Sequence, residues 1–302
     1  MSSDAGLCRT CWTWNIAGEL VCKRCGTAMA FVPEEIAAEL YQERERKTAR
    51  KERFYKSLPV VLPVLLALIV FGGFRLVNAV ARELGPVPGY DLPSGFRVNL
   101  VEPFKNRPLR FDPCTTQHYV INPTNAPPSA VKDVRGAVRR LEEATGMKFV
   151  YDGISHEPGH WERPLVDEQR YGERWAPILI AWVPYDQLFF PDDYTYAAAL
   201  PAWATNSDGD LVTVGGTILV NASRTQRPGF GTGWTWGHVL MHEWGHIVGL
   251  GHIDDEQQVM HQWAKPDDGK WGDGDLIGLR AMGRRGGCQN QPQVEDYEEP
   301  LE

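Results

Sequence analysis

The sequence predicts a mixed α/β (α+β) domain in the C-terminal two thirds of the chain, preceded by a small cysteine-rich module and one transmembrane helix. Three observations carry this. Apolar, β-rich runs at 118–122, 147–151, 178–183 and 211–221 alternate with a helix-period stretch at 129–145. Residues 58–74 are uncharged and nearly all apolar. Four of the six cysteines fall within residues 8–25.

Charge is divided along the chain. Of the net −8, residues 1–85 contribute +3 (12 Lys+Arg, 9 Asp+Glu) and residues 86–302 contribute −11 (19 and 30). So acidic a domain is a poor partner for DNA, whose affinity rests on basic side chains.

In chain order, residues 1–32 read as a zinc ribbon. Cys8, Cys11, Cys22 and Cys25 form two CxxC pairs, able to place four thiolates around one structural zinc. Residues 33–57 read as a charged juxtamembrane helix. Glu34, Glu35 and Glu39 come early and Arg44 to Lys56 late, complementing the helix dipole. Residues 58–81 are long enough to span a bilayer. The bases before the span outweigh Arg75 and Arg82 after it, so the N-terminus is expected in the cytosol and the rest outside the cell membrane. Ala79-Val80-Ala81 would also fit a signal-peptidase site, but more than fifty residues precede it. The Pro/Gly-rich residues 82–113 read as a stalk, and 289–302 as an acidic disordered tail.

The domain between them is assigned to residues 114–288. Ser129 is the expected N-cap and Gly146 the stop of the helix at 129–145. Residues 154–175, with His156 and His160, read as a polar surface loop. A further helix is expected at 235–249 and another at 273–283.

The most informative stretch is 242–252, HEWGHIVGLGH. Residues four apart stack on one helix face, so His242 and His246 can close on one metal ion from the same side. Glu243 is placed to reach a metal-bound water. Gly249 can take positive φ, end the helix and bring His252 round as a third neutral ligand. Three ligands leave an open position, which catalysis needs. His238, one turn before His242, would fill that position as a ligand; it is read instead as packing or a hydrogen bond.

With Met260 downstream, the motif HExxHxxGxxH resembles the metzincin zinc peptidases, and within them the matrixins. Asp275-Leu276-Ile277-Gly278-Leu279-Arg280-Ala281-Met282-Gly283 resembles the matrixin C-terminal helix. The resemblance implies a twisted mixed sheet with three main helices. It also implies zinc on His242, His246 and His252, Glu243 as the general base, and Met260 as the floor of the site. The substrate would be a polypeptide, and 211–221 would be the edge strand that pairs with it. Matrixins carry structural zinc and calcium near residues 154–175; no ligand motif for either is found, so calcium is left open. Where the family shows proline and tyrosine after the methionine, this chain has His261-Gln262-Trp263.

The pattern C-x2-C-x3-N-x6-C-x2-C, with Asn15, resembles the Ran-binding-protein type of zinc finger. Its usual preceding tryptophan is replaced by Gly6, so only the zinc site is carried over. A cytosolic protein or RNA is left open as the ribbon's partner. The sequence thus supports a membrane-anchored zinc endopeptidase. The alternative is a non-catalytic, membrane-tethered binding or signalling protein. Cys114 and Cys288 bracket the outer domain and would face an oxidising compartment, so a disulfide between them is expected. A free pair, or Cys114 reaching the metal, are the alternatives.

Overall fold

The computed structural model describes residues 6–7, 14–15, 87–89, 91–92, 95–103, 105–185, 195–263 and 269–297. The chain divides into two compact units, residues 1–80 with 189–195, and residues 81–188 with 196–302. In the first, β1 (Gly6–Leu7) pairs antiparallel with β2 (Trp14–Asn15). Cys8, Cys11, Cys22 and Cys25 and the expected helices at 33–57 and 58–81 lie outside the described residues. Among the described residues no helix is long and apolar enough to cross a membrane.

The second unit opens with four short strands: β3 (Val87–Pro88), β4 (Asp91–Leu92), β5 (Phe96–Val98) and β6 (Leu100–Val101). β7 (Gln117–Asn122), α1 (Ala130–Thr145) and β8 (Phe149–Ile154) follow. After the short α2 (Glu168–Tyr171) come β9 (Ile178–Val183), β10 (Ala197–Thr205) and β11 (Leu211–Asn221). The unit closes with α3 (Trp236–Ile247), β12 (Leu250–Gly251) and α4 (Asp273–Met282).

Five strands form a mixed sheet in the order β10-β11-β9-β7-β8. β8, β7, β9 and β11 run parallel, and β10 runs antiparallel to β11. Every residue of β9 and β11 is buried, as expected of parallel strands covered on both faces. α3 lies against one face. Its Trp244 is fully buried, with Tyr119 at 5.7 Å and Phe149 at 5.4 Å in edge-on contact. Losing such a side chain typically costs about 3–5 kcal/mol. On the other face, Gly159 comes so close to Val183, Leu219 and Ala181 that no side chain would fit.

Several expectations are corrected. The edge strand is β10, not 211–221, which lies inside the sheet. β10 escaped the sequence reading because its alanines are weak strand formers and Pro201 argues against a strand. At an edge, however, the missing N–H of proline is tolerated. The β10–β11 ladder is interrupted beside Gly215. Ala202 faces Gly215 and Trp203 faces Thr213, leaving Val214 as the extra residue of a bulge.

Residues 154–175 do not lie loose on the surface. The carboxylate of Glu157 accepts from Arg163 Nη2 at 2.9 Å and from Tyr171 Oη at 2.6 Å, and Asn122 Nδ2 donates to the Glu157 carbonyl at 2.7 Å. Glu157 and Arg163 are both buried, so each needs the other. His156 and His160 stay exposed.

The segment read as a stalk contributes Phe96, Val98, Val101, Leu109 and Phe111 to the core. Its prolines obscured alternation that is real but only two or three residues long. The tail is likewise fixed as far as Tyr297. Gln289 N donates to Asp112 at 2.9 Å, Trp175 Nε1 donates to the Pro292 carbonyl at 3.1 Å, and Tyr297 meets the Trp175 ring. Ser129 caps α1 by its carbonyl, which accepts Asp133 N–H, and its side chain makes no cap bond. Gly146 ends the helix at φ 70°.

Candidate metal centre

α3 is started by Thr235, whose hydroxyl accepts the N–H of His238 and lies 2.8 Å from His238 Nδ1. His238 therefore serves the helix start. Gly245 allows the packing below: a Cβ there would overlap the Met260 sulfur. Met260 is buried beneath the helix. The helix stops at Ile247, and Gly249 reverses the chain at φ 111°. β12 then leads to His252.

These turns bring three imidazoles together. His242 Nε2 lies 3.0 Å from both His246 Nε2 and His252 Nε2, and the last two are 3.1 Å apart. Each helix histidine is oriented from behind. His242 Nδ1–H donates to the Val259 carbonyl at 2.7 Å, and His246 Nδ1–H donates to the Leu250 carbonyl at 2.8 Å. That fixes both protons on Nδ1 and leaves the Nε2 lone pairs facing one another. Lone pairs so arranged repel unless a cation sits among them. Burial pushes His242 down to about 3 and His246 well below the ordinary histidine range; burial lowers His252 as well. All three are then neutral at pH 7, the form that binds metal. The donor set and its spacing fit zinc.

Glu243 is buried beside this triad, and its Oε2 has no hydrogen-bond partner within the protein. Burial raises its carboxyl to about 8.

The turn bearing Met260 is clamped from α4. Asp275 accepts Val259 N–H at 2.6 Å, Met260 N–H at 3.2 Å and Gly272 N–H at 3.0 Å. The sequence reading gave Asp275 no such role. An acid at the third position of a helix with Gly272 at its N-cap was the available signal. His261, just past the clamp, accepts Trp263 N–H on Nδ1 at 3.1 Å, and Trp263 is 39% exposed.

Cys114 and Cys288 form a disulfide with Cα atoms 5.5 Å apart. Among the described residues, Asp112, Cys114 and Cys288 form the other close group of metal-type donors, but its sulfurs are bonded to each other.

Residues 187–280 match a family model of M10 peptidases described as matrixin. The match takes in β10, β11, all three histidines, Glu243, Met260 and Asp275, but less than a third of the chain. No curated protein matches the chain. The matched region is similar to a zinc metallopeptidase, and its residues converge on one site.

Proposed function

We propose that this chain is a membrane-anchored zinc endopeptidase that cleaves extracytoplasmic polypeptides. The observation that carries the reading is the convergence of the His242, His246 and His252 Nε2 atoms beside a buried Glu243 with an unpartnered oxygen.

A bound zinc would polarise the scissile carbonyl and make water acidic enough to lose a proton near neutral pH. The charge of a cation on the three histidines would favour the ionised form of Glu243, which could then take a proton from the attacking water and return it to the leaving amine. The Val259 and Leu250 carbonyls keep His242 and His246 turned toward the metal. β10 lies at the sheet edge and against α3, so an extended substrate can add there as a further strand.

The anchor is argued from the uncharged run at 58–74 and the basic residues before it. The ribbon is argued from Cys8, Cys11, Cys22 and Cys25; the β1–β2 pair brackets the first two. Together they would place a zinc-binding docking module for a cytosolic protein or RNA opposite the peptidase.

Incubation of the purified chain with an unfolded protein, with and without chelator, tests the activity. Cleavage that chelator stops and zinc restores is expected. No cleavage by zinc-loaded protein would reject the peptidase reading. Protease added to intact cells tests the topology. It should reach residues beyond 86 and spare the ribbon; the reverse pattern would overturn the orientation.

A further inference from the structure

The return of chain between His246 and His252 is held by a strand from far upstream. β12 pairs with β5, placing Leu250 opposite Val98 and Gly251 opposite Arg97. Asn99 N–H donates to the Gly249 carbonyl at 2.8 Å. The Arg97 stem lies over Gly251: its Cγ and Cδ are 3.1 and 3.2 Å from where a Cβ would stand. Leu250, in the middle of this ladder, supplies the carbonyl that orients His246, and Gly251 directly precedes His252. Phe96, at the start of β5, packs against Gly278 of α4 and is itself buried.

All of these upstream residues precede Cys114. They therefore lie outside the loop that the Cys114–Cys288 disulfide closes, which has a sequence separation of 174. A piece consisting of 114–288 would contain every histidine of the site and lack the strand that holds two of them.

We propose that residues 97–99 are a positioning strand for the metal centre, so that zinc is held tightly only while this upstream segment is docked on β12. The ladder is only two residue pairs long, and the buried Phe96 and Val98 anchor the strand beside it. When β5 leaves, the Leu250 carbonyl and His252 lose their fixed places while His242 keeps its own acceptor, Val259. Orienting partners of this kind typically carry about 10–100-fold of metal affinity. The segment stands between the expected membrane span and the disulfide, so cleavage or tension there would act on the metal centre. The inference rests on the metal-binding reading of the site and not on the peptidase reading.

The test uses the full chain with Cys8, Cys11, Cys22 and Cys25 all changed to serine, so that only the histidine site binds metal, and with a specific protease site inserted at Lys105-Asn106. Both residues are exposed, and Asn106 turns the chain at φ 52°. Zinc affinity is read by chelator competition, and ligand geometry by the d–d bands of the cobalt-substituted protein. The uncut chain should bind zinc; if it does not, the metal reading itself fails. After cleavage and removal of the N-terminal fragment, zinc binding should weaken at least about 10-fold and the cobalt bands should lose intensity. A synthetic peptide of residues 86–103 should restore both, and a scrambled one neither. Fragment-free protein that binds zinc within twofold of the uncut chain overturns the proposal, as does a peptide without effect. Should removal unfold the domain, uncut Arg97→Gly and Arg97→Met decide it. The glycine should weaken zinc about 10-fold, and the methionine, which restores the stem over Gly251, should recover most of it. Equal affinities for the two variants and the wild type overturn the proposal.

Discussion

The carboxylate of Asp275 accepts the backbone N–H of Val259 at 2.6 Å, and the carbonyl of the same Val259 accepts the Nδ1 proton of His242 at 2.7 Å. The backbone of one residue thus links α4 to a candidate metal ligand. α4 is part of the site without touching it.

Asp275→Ala should show this. It leaves the N–H groups of Val259, Met260 and Gly272 without their acceptor, two of them on buried residues. At about 1–3 kcal/mol for each buried orphan, the loss should reach about 3 kcal/mol. Thermal unfolding should shift by about 6–12 °C for a domain of this size. Zinc affinity should fall about 10-fold or more, because Val259 no longer fixes His242. Unchanged Tm and zinc affinity would show that the clamp is dispensable.

The same carboxyl should leave a pH signature. Burial pushes Asp275 up to about 6, against the pull of its backbone hydrogen bonds. The folded state then holds this proton more tightly than the unfolded chain, where the carboxyl titrates near 4. The contribution is fully present below pH 4 and lost as pH rises through 6. Urea unfolding of the zinc-free chain, compared with Asp275→Asn between pH 4 and 7, isolates it. The difference in stability should move against the wild type with rising pH; a flat or opposite trend would refute the assignment.

Glu243→Ala should reduce hydrolysis at least about 100-fold and leave zinc content near one per site, since every ligand remains. His246→Ala should lose both metal and activity. Near-normal turnover in the Glu243 variant would remove the general base from the mechanism.

Gly249→Ala should damage the return that carries His252. The residue sits at φ 111°, and a Cβ would stand 2.8 Å from the Leu109 carbonyl. A backbone so placed typically costs about 1–3 kcal/mol with a side chain. Lower Tm together with weaker cobalt binding is expected; wild-type values for both would contradict the role given to this turn.

Breaking the Cys114–Cys288 bridge should destabilise the domain by at most about 5 kcal/mol, from the chain entropy of so long a loop. Cys114→Ser with Cys288→Ser, measured by urea unfolding, should lose a substantial part of that. Peptide maps run without reductant should contain the linked pair; separately alkylated Cys114 and Cys288 peptides would reject it.

The sequence by itself determined which side chains could meet at this centre. His242, His246 and His252, Glu243 between the first two, and Gly249 as the reversal are readable because helix geometry turns a spacing of four into proximity. Glycine's freedom likewise turns a spacing of three after the helix into a return. The strands at 178–183 and 211–221 were legible for a similar local reason: burial on both faces leaves an unbroken apolar run. Only the tertiary structure decided which strand is the edge, because edge or interior is a property of neighbours and not of the strand's own residues. It also decided what holds the histidines in place. Asp275 reaches Val259 across 16 residues, and Arg97 lies opposite Gly251 across more than 150. Each connection ends on backbone N–H or carbonyl groups, which every residue carries alike, so the sequence does not name the partner.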